Sequence, residues 1–241
     1  MRTSLFTNNI KIWHILYMPK KPSSFREINT GTISPGTLYR SSHPICDGKQ
    51  VKDIILQANE AKIKTILNLS DSIQSLKFKA IYCPWYNKLI KDNNVKAFNI
   101  RKYNNIMDKT FTQKIKQCIL FIIKHEPPYL IHCEAGIDRT GFLSLILEAF
   151  MGATFDEIVK DYMLSYIDRD EYSKKDHLEG STIIRGIFGT IKGELMDSDE
   201  NIKNLAEKYC IKNIGLREQD LQNLENKLRT CSITNRVIEQ V

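Results

Sequence analysis

A chain of 241 residues, 42% apolar and 26% charged, is long enough to bury a substantial core and too apolar to stay disordered. Its 35 basic and 28 acidic residues leave a net charge of +7, which attracts acidic ligands such as phosphoproteins, inositol phosphates and anionic lipids. The basic residues are dispersed among acidic ones, so no nucleic-acid partner is expected. Six widely spaced cysteines with no Cys-x-x-Cys pair argue against a disulfide framework or a zinc site.

Residues 1–24 read as an N-terminal arm. The apolar stretch Ile10 to Met18 is broken by Lys11 and His14, too short for a membrane span and poor as a signal peptide. Pro19 to Ser24 reads as a linker, and residues 25–241 as one domain whose last part, from about residue 154, is helical. Phe25 to Gly36 is an irregular approach to a short strand over Thr37 to Arg40. Lys49 to Glu60 has helical spacing, and Thr65 to Leu69 is a buried β-branched strand. Asp71 starts a helix capped by its own side chain. Tyr82 to Asn94, with Pro84, two aromatics and several charges, reads as a loop or surface insert.

Val95 to Ile100 is the next strand, and Arg101 to Asp108 the loop after it. Lys109 to His125 is a helix with Phe111, Ile115, Ile119 and Ile122 on its apolar side, stopped by Pro127-Pro128. Tyr129 to Ile131 is a strand and Phe142 to Met151 a buried helix. Further helices are expected over Phe155 to Ile167, Thr182 to Lys192, Glu200 to Tyr209 and Arg217 to Leu228. Strands alternating with helices predict an α/β fold: a central, mostly parallel sheet flanked by helices, with a helical C-terminal extension. Its active site belongs at the strands' C-terminal ends.

The chemistry concentrates in His132-Cys133-Glu134-Ala135-Gly136-Ile137-Asp138-Arg139-Thr140-Gly141, a tight loop between strand and helix. A cysteine is a nucleophile only as thiolate, and a helix N-terminus, convergent amides and a nearby cation favour that form. The same amides make an anion cradle. Gly136 allows the curl, and the planar fork of Arg139 holds two phosphoryl oxygens at once. The Thr140 hydroxyl is placed to donate to the Cys133 sulfur, and Gly141 to let the helix pack closely on the sheet. His132 orients the cysteine backbone.

This segment resembles the signature of the cysteine-dependent protein tyrosine phosphatase superfamily, His-Cys-x-x-Gly-x-x-Arg-Thr-Gly, at every fixed position. Leu38-Tyr39-Arg40-Ser41-Ser42, Ile63 to Leu69 and Asp161-Tyr162-Met163-Leu164-Ser165 are similar to segments of the bacterial tyrosine/serine branch, related to dual-specificity phosphatases. The resemblance implies a phosphomonoester hydrolase working through a cysteinyl-phosphate. Amides of Glu134, Ala135, Gly136, Ile137, Asp138 and Arg139 would bind the phosphoryl group, with no metal or other cofactor. Arg40 would support the loop or touch substrate. A thiol kept reduced implies the cytoplasm or another reducing compartment, with non-classical secretion as the alternative.

The family's general acid is an aspartate about thirty residues before the cysteine, and no aspartate stands there in this chain. Asp138, inside the loop, is the first choice, and Asp108 the second, its competing role being a helix cap. The substrate expected first is a phosphorylated protein or peptide. Relatives that act on lipids often carry a lysine where this chain has Ile137, and Glu134 and Asp138 add negative charge. The Cys-Glu-Ala-Gly opening, however, also occurs in phytase-like relatives. An inositol phosphate or phosphoinositide phosphatase is therefore the alternative, and an inactive phosphate-binding module the third reading. Tyr103, Trp85 and Tyr86 are candidates to flank a phosphotyrosine ring.

Overall fold

Two strands, Thr65–Asn68 and Tyr129–His132, have all four residues buried, as strands covered on both faces must. They form the middle of the sheet in the computed structural model, which describes residues 25–46, 51–101, 105–166, 172–197 and 200–230. The predicted arm (1–24) and Tyr103 lie outside the described residues. The strands are β1 (Arg26–Glu27), β2 (Leu38–Ser41), β3 (Thr65–Asn68), β4 (Val95–Ala97) and β5 (Tyr129–His132). Their order is β1-β2-β5-β3-β4, all parallel except the antiparallel edge strand β1. The expected mostly parallel α/β sheet is present. The short β1 falls within the segment read from sequence as irregular.

Side-chain alternation divides the core into two layers. Tyr129 and Ile131 of β5 and Leu67 of β3 face the larger layer. That layer holds α4 (Lys109–Lys124), α5 (Asp138–Phe150) and the C-terminal helices α6 (Phe155–Met163), α7 (Lys174–Lys192), α8 (Ile202–Lys208) and α9 (Glu218–Arg229). Leu130 and Ile66 face the smaller layer, built on α1 (Val51–Glu60), α2 (Ile73–Ala80) and α3 (Pro84–Lys91). Helix α5 is buried from Thr140 to Phe150 on every side, as a helix enclosed by both sheet and helices should be.

Two expectations in the smaller layer are corrected. The stretch from Tyr82 to Asn94 is not a loop, because Pro84 opens α3 at its first turn, where proline needs no N–H partner. Tyr86 and Leu89 then bury one face of that helix. Helix α2 is capped by Ser72, which accepts from the Ser75 amide, and not by Asp71. In the C-terminal part, α7 begins at Lys174, eight residues before the expected start, on a Ser173/Asp176 capping box. The last turns after α8 widen into a π-helix over Tyr209–Ile214. Among the described residues, no helix is long and apolar enough to cross a membrane.

Register places the site. Ser41 and Asn68 both lie beside His132, so β2, β5 and β3 end together. The segments leaving those ends, with the one leaving β4, meet outside the carboxyl edge of the sheet.

Candidate active site

The loop from Cys133 to Ile137 links β5 to α5, with Ile137 at the helix cap position and Asp138 in its first turn. Gly136 has φ +71°, which a side chain would strain. Its amide donates to Cys133 Sγ at 3.2 Å. Cys133 is only 2% exposed. The loop's carbonyls are tied from outside. The His43 amide donates to Glu134 O at 3.1 Å, and Arg40 Nη2 donates to Gly136 O at 3.0 Å. Arg139, in the first turn of α5, donates from Nη1 to the Ile100 carbonyl at 3.0 Å, joining the loop that follows β4.

His132 is fully buried. Its Nε2 pairs with the Tyr86 hydroxyl at 2.9 Å, and its Nδ1 lies 3.4 Å from the Cys133 carbonyl oxygen. Burial, reinforced by the neighbouring His43, pushes its pKa well down, so the ring is neutral. His43 behaves oppositely. Burial opposes its charge, but the Asp71 carboxylate, 2.6 Å from Nε2, raises its pKa on balance. Asp71 pays a burial penalty and is nevertheless held far below the usual carboxylate range by His43, Lys79 and Asn68, which bond it at 2.6, 2.8 and 2.9 Å. The sequence reading missed this cluster. Its residues stand 28 positions apart, and only the alignment of β2 with β3 through β5 brings them together.

Several expected site residues stand elsewhere than their expected roles require. Arg40, expected either to support the loop or to touch substrate, lies beneath the loop, 0% exposed. Its guanidinium is engaged by Asp161, by Ser165 Oγ at 2.9 Å and by Gly136 O. Its bond to the Gly136 carbonyl ties it to the loop, the first of the two expected placements. Asp108 is the N-cap of α4, accepting from the Thr110 and Phe111 amides at 2.8 and 3.0 Å. The Thr140 hydroxyl is buried and makes no hydrogen bond among the described residues, so the expected bond to the Cys133 sulfur is not formed. Tyr86 is fully buried against His132 and cannot flank a substrate ring, whereas Trp85, half-buried, packs edge-on to it.

Gly141 has a different reason from the one expected. A Cβ there would meet Tyr162 Cε2 of α6 at 2.8 Å, with Arg40 Nη2 of β2 at 3.4 Å, so the tightest approach is to a neighbouring helix. Asp138 and Glu134 are exposed on the loop. The Cys46 thiol lies 3.9 Å from Glu134 Oε1. Among the described residues, no group of three His, Cys, Asp or Glu side chains is placed to hold a metal ion.

Comparison with known proteins follows the same residues. A model of a tyrosine phosphatase family matches residues 24–230. Among solved structures, the chain is similar to the core catalytic domain of the PP-IP phosphatase SIW14 from S. cerevisiae in complex with citrate. The identity is 19% and the TM-score 0.38, over 78% of this chain and 93% of that one. A second structure, of the Siw14 catalytic core, is 17% identical with TM-score 0.41, over 78% and 92% of the two chains. No curated protein matches.

Proposed function

On the premise that this chain belongs to the tyrosine phosphatase family and is a phosphatase, we propose that it hydrolyses phosphotyrosine, or phosphotyrosine and phosphoserine/threonine, in proteins or peptides. The observation that carries the reading is the Cys133 sulfur, to which the Gly136 amide of its own loop already donates, with Arg139 in the first turn of the helix that follows. Holding the Glu134 and Gly136 carbonyls outward leaves amides of the loop to converge on the sulfur and on an anion in front of it.

The Cys133 thiolate attacks phosphorus in line with the leaving oxygen. The S–P bond forms as the P–O bond breaks, and the leaving oxygen takes a proton from the Asp138 carboxyl. Water then attacks the cysteinyl-phosphate, giving its proton to the Asp138 carboxylate as the S–P bond breaks and phosphate departs. The Arg139 fork and the loop amides neutralise charge on the three equatorial oxygens. Neutral His132, fixed by Tyr86, orients the cysteine backbone. In the cluster beside it, the Asp71 carboxylate is bonded by both His43 Nε2 and Lys79 Nζ, which fixes the His43 ring against His132.

Asp138 supports the acid assignment by position: it is exposed on the loop, while Asp108 is occupied as a helix cap. Asp138→Asn is expected to lower kcat on phosphopeptides about 10²-fold while changing little with an activated aryl phosphate, whose leaving group needs no proton. Asp108→Asn keeps a good cap and is expected to change neither. Equal loss on both substrates for Asp138→Asn would refute its role.

The exposed carboxylates of Glu134 and Asp138 and the buried apolar Ile137 at the loop favour a singly phosphorylated substrate over a polyphosphate. Phosphate release measured side by side on phosphopeptides, soluble inositol phosphates and phosphoinositides tests this. Higher kcat/KM on phosphopeptides is expected. Preference for an inositol phosphate overturns the substrate assignment, and no release from any of them identifies a binding module.

A further inference from the structure

Outside the site, the smaller layer carries a surface that the catalytic reading does not use. Phe78, Ile81 and Tyr82 are 69%, 61% and 83% exposed at the end of α2, and Ile73 is exposed at its start. Phe78 lies in the last turn of the helix, Ile81 is its C-cap and Tyr82 sits in the turn that follows, so the three exposed side chains fall within one turn of chain. Solvent-facing aromatics and isoleucines grouped this way need a reason, unlike scattered single ones. The charged residues within this stretch of chain are all lysines, with Asp71 and Asp92 at its two borders. Between Ser72 and Lys91 the chain has four lysines (77, 79, 88 and 91) and no aspartate or glutamate. Lys79 is turned to Asp71 and Lys88 to Asp92, while Lys77, next to Phe78 in the chain, and Lys91, at the far end of α3, are exposed.

We propose that this α2–α3 surface docks on an anionic lipid bilayer, with Phe78, Ile81 and Tyr82 entering the interface and the lysines lying over acidic headgroups. An apolar wedge of aromatic and branched side chains rimmed by lysine is the composition that interfacial binding requires. The lysines complement an acidic headgroup layer, and the chain's net charge of +7 adds long-range attraction. The same two helices carry Tyr86 and follow Asp71, which hold His132 and His43.

The test is co-sedimentation of the full chain with phosphatidylcholine vesicles, with and without phosphatidylserine. Binding is expected only with phosphatidylserine, falling as salt rises. Phe78→Ser/Ile81→Ser/Tyr82→Ser is expected to weaken partitioning by more than about tenfold, since a large apolar side chain withdrawn from water is worth at least that factor. Lys77→Gln and Lys91→Gln should each weaken it roughly fivefold. Hydrolysis of a soluble aryl phosphate and the melting temperature should stay at the parent value in all three. Failure to bind anionic vesicles, equal binding to neutral ones, or unchanged binding of the triple variant overturns the proposal. A dimer seen by light scattering and lost in the triple variant would overturn it too, identifying a second copy as the occupant. Vesicle binding is read without turnover, so its failure is separable from failure of the substrate assignment.

Discussion

Cys133→Ser is expected to leave no measurable phosphate release, and Arg139→Lys to lower kcat/KM on a phosphotyrosine peptide by about 10²–10³-fold. A serine hydroxyl at that place is a much weaker nucleophile than the thiolate the proposed mechanism uses, and lacks the polarizable sulfur that the Gly136 amide meets. The variant should still bind vanadate or phosphate, because the loop amides are backbone groups that the substitution leaves intact. Lysine at 139 keeps the charge but loses the fork, and with it the second bond to phosphoryl oxygen and the Nη1 bond to the Ile100 carbonyl. Charge and geometry therefore separate in the kinetics: kcat should fall much more than KM rises. Steady-state assays of both variants, with phosphate binding by calorimetry, check this. Retained turnover in Cys133→Ser, or an unchanged kcat in Arg139→Lys, would refute the roles given to them.

Asp161→Ala is expected to destabilise the fold by about 3–5 kcal/mol, the range for breaking a buried charge pair from one side. Asp161, buried in α6, bonds Arg40 through one oxygen and Arg26 Nε at 2.9 Å through the other. Its removal takes away the carboxylate that two buried guanidinium groups bond, leaving Glu148 as the acidic group beside them, and releases the arginine that holds the Gly136 carbonyl. Activity should therefore fall further than the folded fraction does, which denaturant titration and kinetics on the same samples would show. A variant as stable as the parent, with full activity, would contradict this account.

The same cluster gives stability a pH dependence of known sign. Burial works against the Asp161 charge, but Arg40 and Arg26 outweigh it and hold the carboxyl down to about 2. Asp161 therefore stabilises above its unfolded value of about 3.9, and that contribution is lost as pH falls toward 2. Glu148, buried beside it on α5, is pushed well up, first by burial and then by the Asp161 charge. Its neutral form is the folded one, so its contribution is greatest below about 4.3 and is lost as pH rises. Glu148→Gln is expected to melt higher than the parent at neutral pH, by a margin that widens with pH.

What could be read along the chain was whatever a few adjacent residues decide. The spacing of Cys133, Gly136 and Arg139 sets a strand, a left-handed turn and a helix start within one segment. The apolar runs of β3, β5 and α5 show their burial through composition alone. The Pro84 opening of α3 was legible in principle, since proline suits the first helical turn, but the charges around it read as a loop.

Roles that depend on partners far away in sequence were decided only by folding. Arg40 stands 121 positions from Asp161 and 96 from Gly136, so nothing near it along the chain shows that it is buried under the loop and not lining it. His43 and Asp71 become a pair because parallel strands end level at the sheet's carboxyl edge. Long-range ion pairs and hydrogen bonds assign these side chains, and a linear pattern carries no record of them. Local backbone chemistry placed the Cys133 loop; three-dimensional packing chose what holds it still.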